Sequence, residues 1–316
     1  MIPTVETARQ KLSYLGIKDV EYIASGMEGH VFRLEHQNVA KVWHRKALEE
    51  VTPLKEFHEQ LQTLYFPFET PLIAQVQKVD GTTISIEKVL PGTSMRTLMK
   101  DDEVEPPSFA LEAVLSVLEV LKGKKLSGDK VHLPILGVMS SREARAKGAI
   151  AVLLEVAHLK VKRYGDQLRC SVPDFDWLYD RTVKHLLEAE VEEMQAVHGD
   201  LCPENILLDE HGKVTAVLDW GMMSLFGDSM LDASFACGIY NMYGPHHRQI
   251  DAIFLTACGA RLGYSRERLL LFRALYAIIQ SNAFSETGSD GHYAWCVETL
   301  LREDIRSVLA RGRITL

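Results

Sequence analysis

The period of apolar and polar positions changes along this chain. Residues 4–15 carry apolar side chains at helical spacing and open at Thr4, a residue suited to capping a helix. From Val20 the pattern is that of strands, over residues 20–24, 31–34 and 39–42. A helix is predicted over about 53–64, then strands over 74–79 and 83–89. Asp80-Gly81 between those strands is a tight-hairpin dipeptide. Beyond Pro91-Gly92 helical spacing takes over, at 109–122, 142–162, 176–197, 248–262, 266–284 and 293–310, with loops at 133–137 and 165–173. There is no internal repeat and no low-complexity linker. The pattern predicts an α+β chain with a small antiparallel sheet followed by a larger, mainly helical part.

One stretch of the helical half breaks this rhythm. His198-Gly199-Asp200 is followed by Asn205, five positions after the aspartate. Two apolar runs then flank a polar, glycine-bearing turn between Ile206 and Leu218, the signature of a β-hairpin. Asp219-Trp220 ends it. An isolated His-Gly-Asp occurs by chance in turns; the joint pattern carries the reading. It has the spacing of a kinase catalytic loop, H-x-D-x-x-x-x-N, in which the Asp accepts a hydroxyl proton and the Asn holds magnesium. A hairpin would return Asp219 to the neighbourhood of Asn205, so two magnesium ligands would converge from its ends.

The segment from His198 to Leu207 resembles the catalytic segment of the aminoglycoside phosphotransferase and choline kinase-like superfamily, which has Gly where protein kinases usually have Arg. Leu218-Asp219-Trp220 is similar to that family's counterpart of the kinase D-F-G. Gly227-Asp228-Ser229-Met230-Leu231-Asp232 resembles its G-D-P-x-x-D, with Ser229 in place of Pro. The resemblance implies a bilobal protein-kinase-like fold, with residues 1–90 as the nucleotide-covering lobe and 91–316 as the lobe of the catalytic loop and substrate pocket. It implies Asp200 as catalytic base, Asn205 and Asp219 as magnesium ligands, and ATP or GTP as phosphoryl donor. It further implies a stabilising role for Asp232 behind the loop.

The N-terminal strands fit that scheme. Ser25-Gly26-Met27-Glu28-Gly29-His30-Val31 is a strand–turn–strand sequence suited to covering phosphates, with Gly26 and Gly29 allowing close backbone approach. Lys41, in Val39-Ala40-Lys41-Val42, resembles the strand lysine that reaches the α- and β-phosphates. Its carboxylate partner is expected on the following helix, as Glu56 or Glu59, with Glu59 preferred. The adenine is expected to hydrogen-bond to backbone near Glu87 and Val89. His198 reads as a hydrogen-bonding support, and Cys202 gives no sign of being a nucleophile.

Composition narrows the function classes. The chain has 316 residues, 47% hydrophobic and 25% charged, an ordinary globular balance. Its net charge of −8 argues against broad nucleic-acid binding. No apolar run reaches the length of a membrane span, and the first residues lack the pattern of a secretion signal. Five scattered cysteines form no C-x-x-C pair, which fits a reduced, cytoplasmic setting. The partners that the resemblance implies are a nucleotide and a small-molecule hydroxyl acceptor. A protein kinase is disfavoured because no long activation segment follows Asp219.

The acceptor stays open at this level. An antibiotic-like molecule, aminoglycoside or macrolide, competes with a sugar, an amino alcohol or homoserine. A nucleotide-binding pseudokinase acting as an interaction module is the third reading. A cationic acceptor calls for acidic residues such as Glu286 or Asp290 near Asp200. A bulky apolar one calls for Phe235, Tyr240, Tyr243 and Phe284. Asp174, Asp176, Asp180 and the His246-His247 pair read equally well as surface positions.

Overall fold

The computed structural model describes residues 3–26, 28–35, 37–100, 102–188 and 194–312. Helix α1 (Val5–Tyr14) begins where the Thr4 hydroxyl accepts the Thr7 amide at 3.1 Å. Strands β1 (Glu21–Ser25), β2 (Gly29–Arg33), β3 (Asn38–Trp43), β4 (Ile73–Val79) and β5 (Thr82–Lys88) form one antiparallel sheet in the order β1-β2-β3-β5-β4. Ala8 and Leu12 of α1 pack with Phe32, Ala40, Val42 and Ile84, burying one face of the sheet. Asp80 and Gly81 both take positive φ, 45° and 77°, as a two-residue hairpin of matching twist requires.

Helix α2 (Leu48–Gln62) connects β3 to β4. It begins ahead of the expected start, so Pro53 lies inside it. Its buried face is Val51, Leu54, Phe57, His58 and Leu61. The segment leading into β4 is bonded to the helical part: the Glu69 amide donates to Thr215 O at 2.8 Å and the Val217 amide to Glu69 O at 2.9 Å.

Past Gly92 the chain makes a short strand β6 (Thr93–Ser94), then helices α3 (Ser108–Gly123), α4 (Arg142–Lys147), α5 (Ala149–Ser171) and α6 (Phe175–Glu188). The helix expected over 142–162 is split at Gly148, whose φ is 99°. Its second piece runs on through Gly165 to Ser171, where a loop was expected. The helix expected over 176–197 ends at Glu188; residues 195–197 are a strand, and 189–193 lie outside the described residues.

Strand β7 (Gln195–Val197) leads into the catalytic-type segment, whose hairpin is β8 (Ile206–Leu208) and β9 (Val214–Val217), with β6 at its edge. Strand β10 (Leu225–Gly227) returns to pair with β7. Helices α7 (Met230–Ile239), α8 (His247–Leu262), α9 (Arg266–Gln280), α10 (Gly291–Leu301) and α11 (Glu303–Ala310) complete the chain. Helix α9 is buried on every side from Arg268 to Gln280, which makes it the axis of the helical part. Its Arg273 donates to Ser234 O at 2.9 Å and to Asp251 at 3.1 Å, and Asp251 also accepts from Arg302 at 2.5 Å. Two guanidinium groups sharing one carboxylate satisfy a burial that neither would tolerate alone. Among the described residues no helix is long and apolar enough to cross a membrane.

Candidate active site

The β7–β10 region fixes the loop that carries Asp200. The amides of His198 and Gly199 both donate to the Asp232 carboxylate at 2.7 Å. Asp232, at the start of α7, is fully buried, and burial pushes its carboxyl up to about 7 against the pull of those two amides. Gly199 takes φ of 81°, and a Cβ there would lie 2.3 Å from Met223 O. The sharp turn before Asp200 therefore needs glycine on both conformational and steric grounds.

His198 is spent on this scaffold. Its Nε2 donates to Leu218 O at 2.6 Å, and its Nδ1 accepts the Asp200 amide at 3.1 Å. Burial drives its pKa down to about 4 despite the Leu218 carbonyl. It is a neutral strut, not a proton acceptor. A second histidine mirrors it: His58 of α2 donates through Nε2 to Trp220 O at 3.1 Å, and burial likewise lowers it to about 4. The carbonyls on both sides of Asp219 are thus held by imidazoles from two different parts of the fold.

Asp219 has φ of 52°, a left-handed conformation that aspartate tolerates better than most side chains. The Leu218 amide donates to Asn205 O at 2.8 Å, so the hairpin does return Asp219 to the vicinity of Asn205. Asn205 is buried, and its Nδ2 donates to Asp200 O at 2.9 Å. That bond assigns its Oδ1 as the amide group left to meet a cation. An amide oxygen and a carboxylate suit a hard cation such as magnesium, which takes few protein ligands and completes its shell with phosphate and water.

Asp200 is half-buried at the meeting of two cavities. Burial, then the charges of Asp219 and Glu204, push its carboxyl up to about 6. The first cavity, about 490 Å³, is the cleft under the sheet; Gly26, Gly29, Lys41, Glu87 and Asp219 share its wall. The second, about 500 Å³, opens among α7, α9 and α10 and includes Tyr240, Tyr243, Tyr276 and Phe284. Among the described residues, Asp200 is the residue common to both linings. Either volume suits a small organic ligand.

Lys41 lies in the cleft, but its partner is not the expected one. Its ammonium is 2.9 Å from Glu28 Oε2, while Lys46 is 2.5 Å from Glu28 Oε1. Burial alone would depress the Lys41 ammonium; Glu28, then Asp219 and Glu87, outweigh it and hold the pKa above the usual lysine value. Burial opposes the charge on Glu28 as well, yet the two lysines pull its carboxyl down to about 2. Glu59 faces away, half-exposed and paired with Lys55 one turn earlier. The physical reason lies in the phase of α2, whose inward face presents His58 where a carboxylate was expected.

The other expected positions divide. Gly29 is required by sheet packing, since a Cβ there would meet Val42 O at 2.6 Å, whereas Gly26 has open space around it. Glu87 reaches the cleft with its side chain: it accepts from Ser85 Oγ at 2.6 Å, and burial raises its pKa against the pull of Lys41. The Val89 amide is not available to a base, because it donates to Gln37 O at 2.9 Å in continuation of the β3–β5 ladder. Asp228 forms a buried ion pair with Arg268 at 2.6 Å. The Cys202 thiol is pushed well up, by burial first and then by Asp200 and Glu204, which leaves it unreactive.

Several of the acidic positions weighed for an acceptor are engaged elsewhere, while the charge of Asp290 acts on Tyr243 and His292 in the wall of the helical cavity. Glu286 is bound by Arg163 at 2.6 Å and Tyr164 at 3.1 Å, and Asp290 caps α10 through the Tyr293 amide at 2.7 Å. Asp174 and Asp176 pair with Arg306 and Arg169, and His247 is 3.5 Å from Glu298. Phe235 is buried in the helical core against Tyr276.

The family and its structures can now be set beside this geometry. The family model described as phosphotransferase enzyme family matches residues 19–270. No curated protein sequence matches significantly. The ternary complex of the phosphotransferase APH(2″)-IIa with streptomycin and ATP superposes with a TM-score of 0.55 at 15% identity, covering 95% of this chain and 97% of that one. The complex of APH(2″)-IIIa with GDP and kanamycin gives 0.57 at 15% identity, covering 94% and 99%. Aminoglycoside phosphotransferase APH(3″)-Id from Streptomyces rimosus gives 0.56 at 16% identity, covering 88% and 99%. With the mixed fold of a five-stranded antiparallel sheet and a mainly helical remainder, the chain belongs to the phosphotransferase enzyme family and is a small-molecule phosphotransferase.

Proposed function

We propose that the chain transfers the γ-phosphoryl group of ATP or GTP to a hydroxyl of a small organic acceptor, with Asp200 orienting and deprotonating that hydroxyl. The observation that carries this reading is the position of Asp200 as the one residue, among the described residues, common to the linings of two cavities. The cleft under the sheet takes the nucleotide, covered by residues 1–90; the helical cavity, within residues 91–316, takes the acceptor. An in-line displacement asks the protein chiefly to hold donor and acceptor on either side of such a group. A carboxyl held near 6 is mostly ionised at neutral pH and retains useful basicity.

Asn205 and Asp219 would hold magnesium through Oδ1 and the carboxylate. When bound, the ion spreads the charge of the β- and γ-phosphates. Lys41 meets phosphate oxygens as a point cation, in exchange for its pair with Glu28. His198, His58 and Asp232 keep the loop and Asp219 in place and touch no reacting atom. Neighbouring structures with ATP and with GDP support a nucleoside triphosphate donor without choosing the base. A reducing compartment, the cytoplasm, is part of this reading.

The resemblance in residues 198–232 and the streptomycin and kanamycin complexes of the neighbours support an antibiotic-like acceptor; a sugar, an amino alcohol or homoserine is the alternative. The test is nucleoside diphosphate release with MgATP and with MgGTP over a panel of aminoglycosides, macrolides, choline, homoserine and sugars, with mass spectrometry of the product. The expected result is acceptor-dependent release and a phosphorylated acceptor. Nucleotide binding without transfer to any member would favour a nucleotide-binding interaction module instead.

A further inference from the structure

The cavity beside Asp200 has a composition at odds with a polycationic ligand. Its walls carry Tyr240, Tyr243, Tyr276, Phe284 and His292. Among the described residues, the carboxylates in its lining are Asp200 and Glu204. Asp200 is committed to the reacting hydroxyl in the reading above, and Glu204 lies 3.7 Å from Arg96, which also lines the cavity. Glu103 adds a further negative charge near Tyr240, balanced there by the same Arg96, and Asp290, whose Oδ1 caps α10, adds one near Tyr243 and His292. An acceptor with several ammonium groups needs a carboxylate or carbonyl for each one it desolvates, whereas the side chains that dominate this wall are aromatic.

The aromatic groups are arranged as a rim and a floor. Tyr243 and Phe284 stand at the rim with relative exposures of 65% and 51%. Phe284 meets His292 edge to face at 4.8 Å, and the Tyr243 hydroxyl is 3.1 Å from His292 Nδ1. Burial lowers the pKa of His292, which keeps the ring neutral and part of the apolar wall. Tyr240 is buried below, tilted against Phe254 at 4.6 Å. Two exposed rings flanking a neutral imidazole at the mouth of a cavity of about 500 Å³ form a surface for a flat apolar face.

We propose that the acceptor is a hydroxyl compound without polycationic character that carries a flat apolar group, seated between Tyr243 and Phe284 while its hydroxyl reaches Asp200. This rests on the phosphotransferase reading and departs from the aminoglycosides seen in the structural neighbours. Phe284 becomes the specificity-determining residue: it touches the apolar group, not the reacting atoms.

The test compares three probes by titration calorimetry on the full chain with MgADP present: an aryl glycoside (4-nitrophenyl glucoside), methyl glucoside and kanamycin. The expected order places the aryl glycoside about tenfold or more tighter than the other two. Phe284→Ala should erase most of that preference and Phe284→Tyr should keep it; both alter a half-exposed ring. Kanamycin binding most tightly, with affinity falling steeply as salt is added, would overturn the proposal. So would equal affinities for the aryl and methyl glycosides, or an aryl preference unchanged in Phe284→Ala. The underlying reading is tested apart from this, by MgADP alone. No MgADP binding, with the aryl preference intact, would overturn the nucleotide cleft of that reading and leave only the cavity's preference for a flat apolar group standing.

Discussion

Glu28, in the β1–β2 turn, pairs with Lys41 of β3 at 2.9 Å, and so occupies the lysine from the very loop that would cover a nucleotide's phosphates. The carboxylate is where a phosphate oxygen would compete. Both side chains are largely shielded from solvent, so the pair is not a weak exposed one, and the carboxylate's repulsion toward phosphate adds to the cost of displacing it. Glu28→Gln should therefore tighten MgATP binding by roughly three- to tenfold. Titration calorimetry reads this directly. Weaker binding in the variant would mean that Glu28 orients Lys41 for the nucleotide and does not compete with it.

Asp219 gives a metal-specific prediction. Its position at the end of the hairpin from Asn205 motivates it. Asp219→Ala should weaken nucleotide binding in the presence of magnesium by at least about tenfold and leave metal-free nucleotide binding nearly unchanged. Titrations with and without magnesium separate the two. Equal losses in both would assign Asp219 a structural role only.

His58 and His198 predict an acid instability. Both are held near 4 by burial, well below the ordinary histidine value of 6.5. Their folded forms refuse protons that the unfolded chain accepts. Stability from this source is intact above about 6.5 and is lost as pH falls toward 4, by up to about 3 kcal/mol per histidine. The melting temperature should drop over that window, and His58→Gln should shrink the drop. A melting temperature flat from pH 7 to pH 4 would contradict the account of both imidazoles as buried neutral struts.

Legibility in the sequence followed the range of the interactions. The spacing of Asp200, Asn205 and Asp219 was readable because a local loop and one hairpin bring them together. The Asp80-Gly81 turn was readable because two positive φ values demand such residues. Strands of two or three residues, β6, β7 and β10, are too short to show a period. The choice of Glu28 over Glu59 depends on the phase of α2 against the sheet, which no local pattern encodes. His58 left a faint signal, a lone histidine on a face otherwise made of Val51, Leu54, Phe57 and Leu61. Gly165 misled because a helix tolerates glycine when packing supplies what propensity lacks. The break at Arg302 between α10 and α11 depends on a buried pairing with Asp251, 51 residues away in sequence.

The central claim is that Asp200 acts on the acceptor hydroxyl from the wall shared by two cavities. Steady-state transfer by Asp200→Asn, to whichever acceptor the wild-type chain phosphorylates, tests it most directly when paired with MgATP titration of the same variant. The amide keeps the shape and removes the basic oxygen. Turnover should fall by about three orders of magnitude or more while MgATP affinity stays within about threefold of wild type. Turnover close to wild type would contradict the assignment of Asp200 as the group that receives the hydroxyl proton.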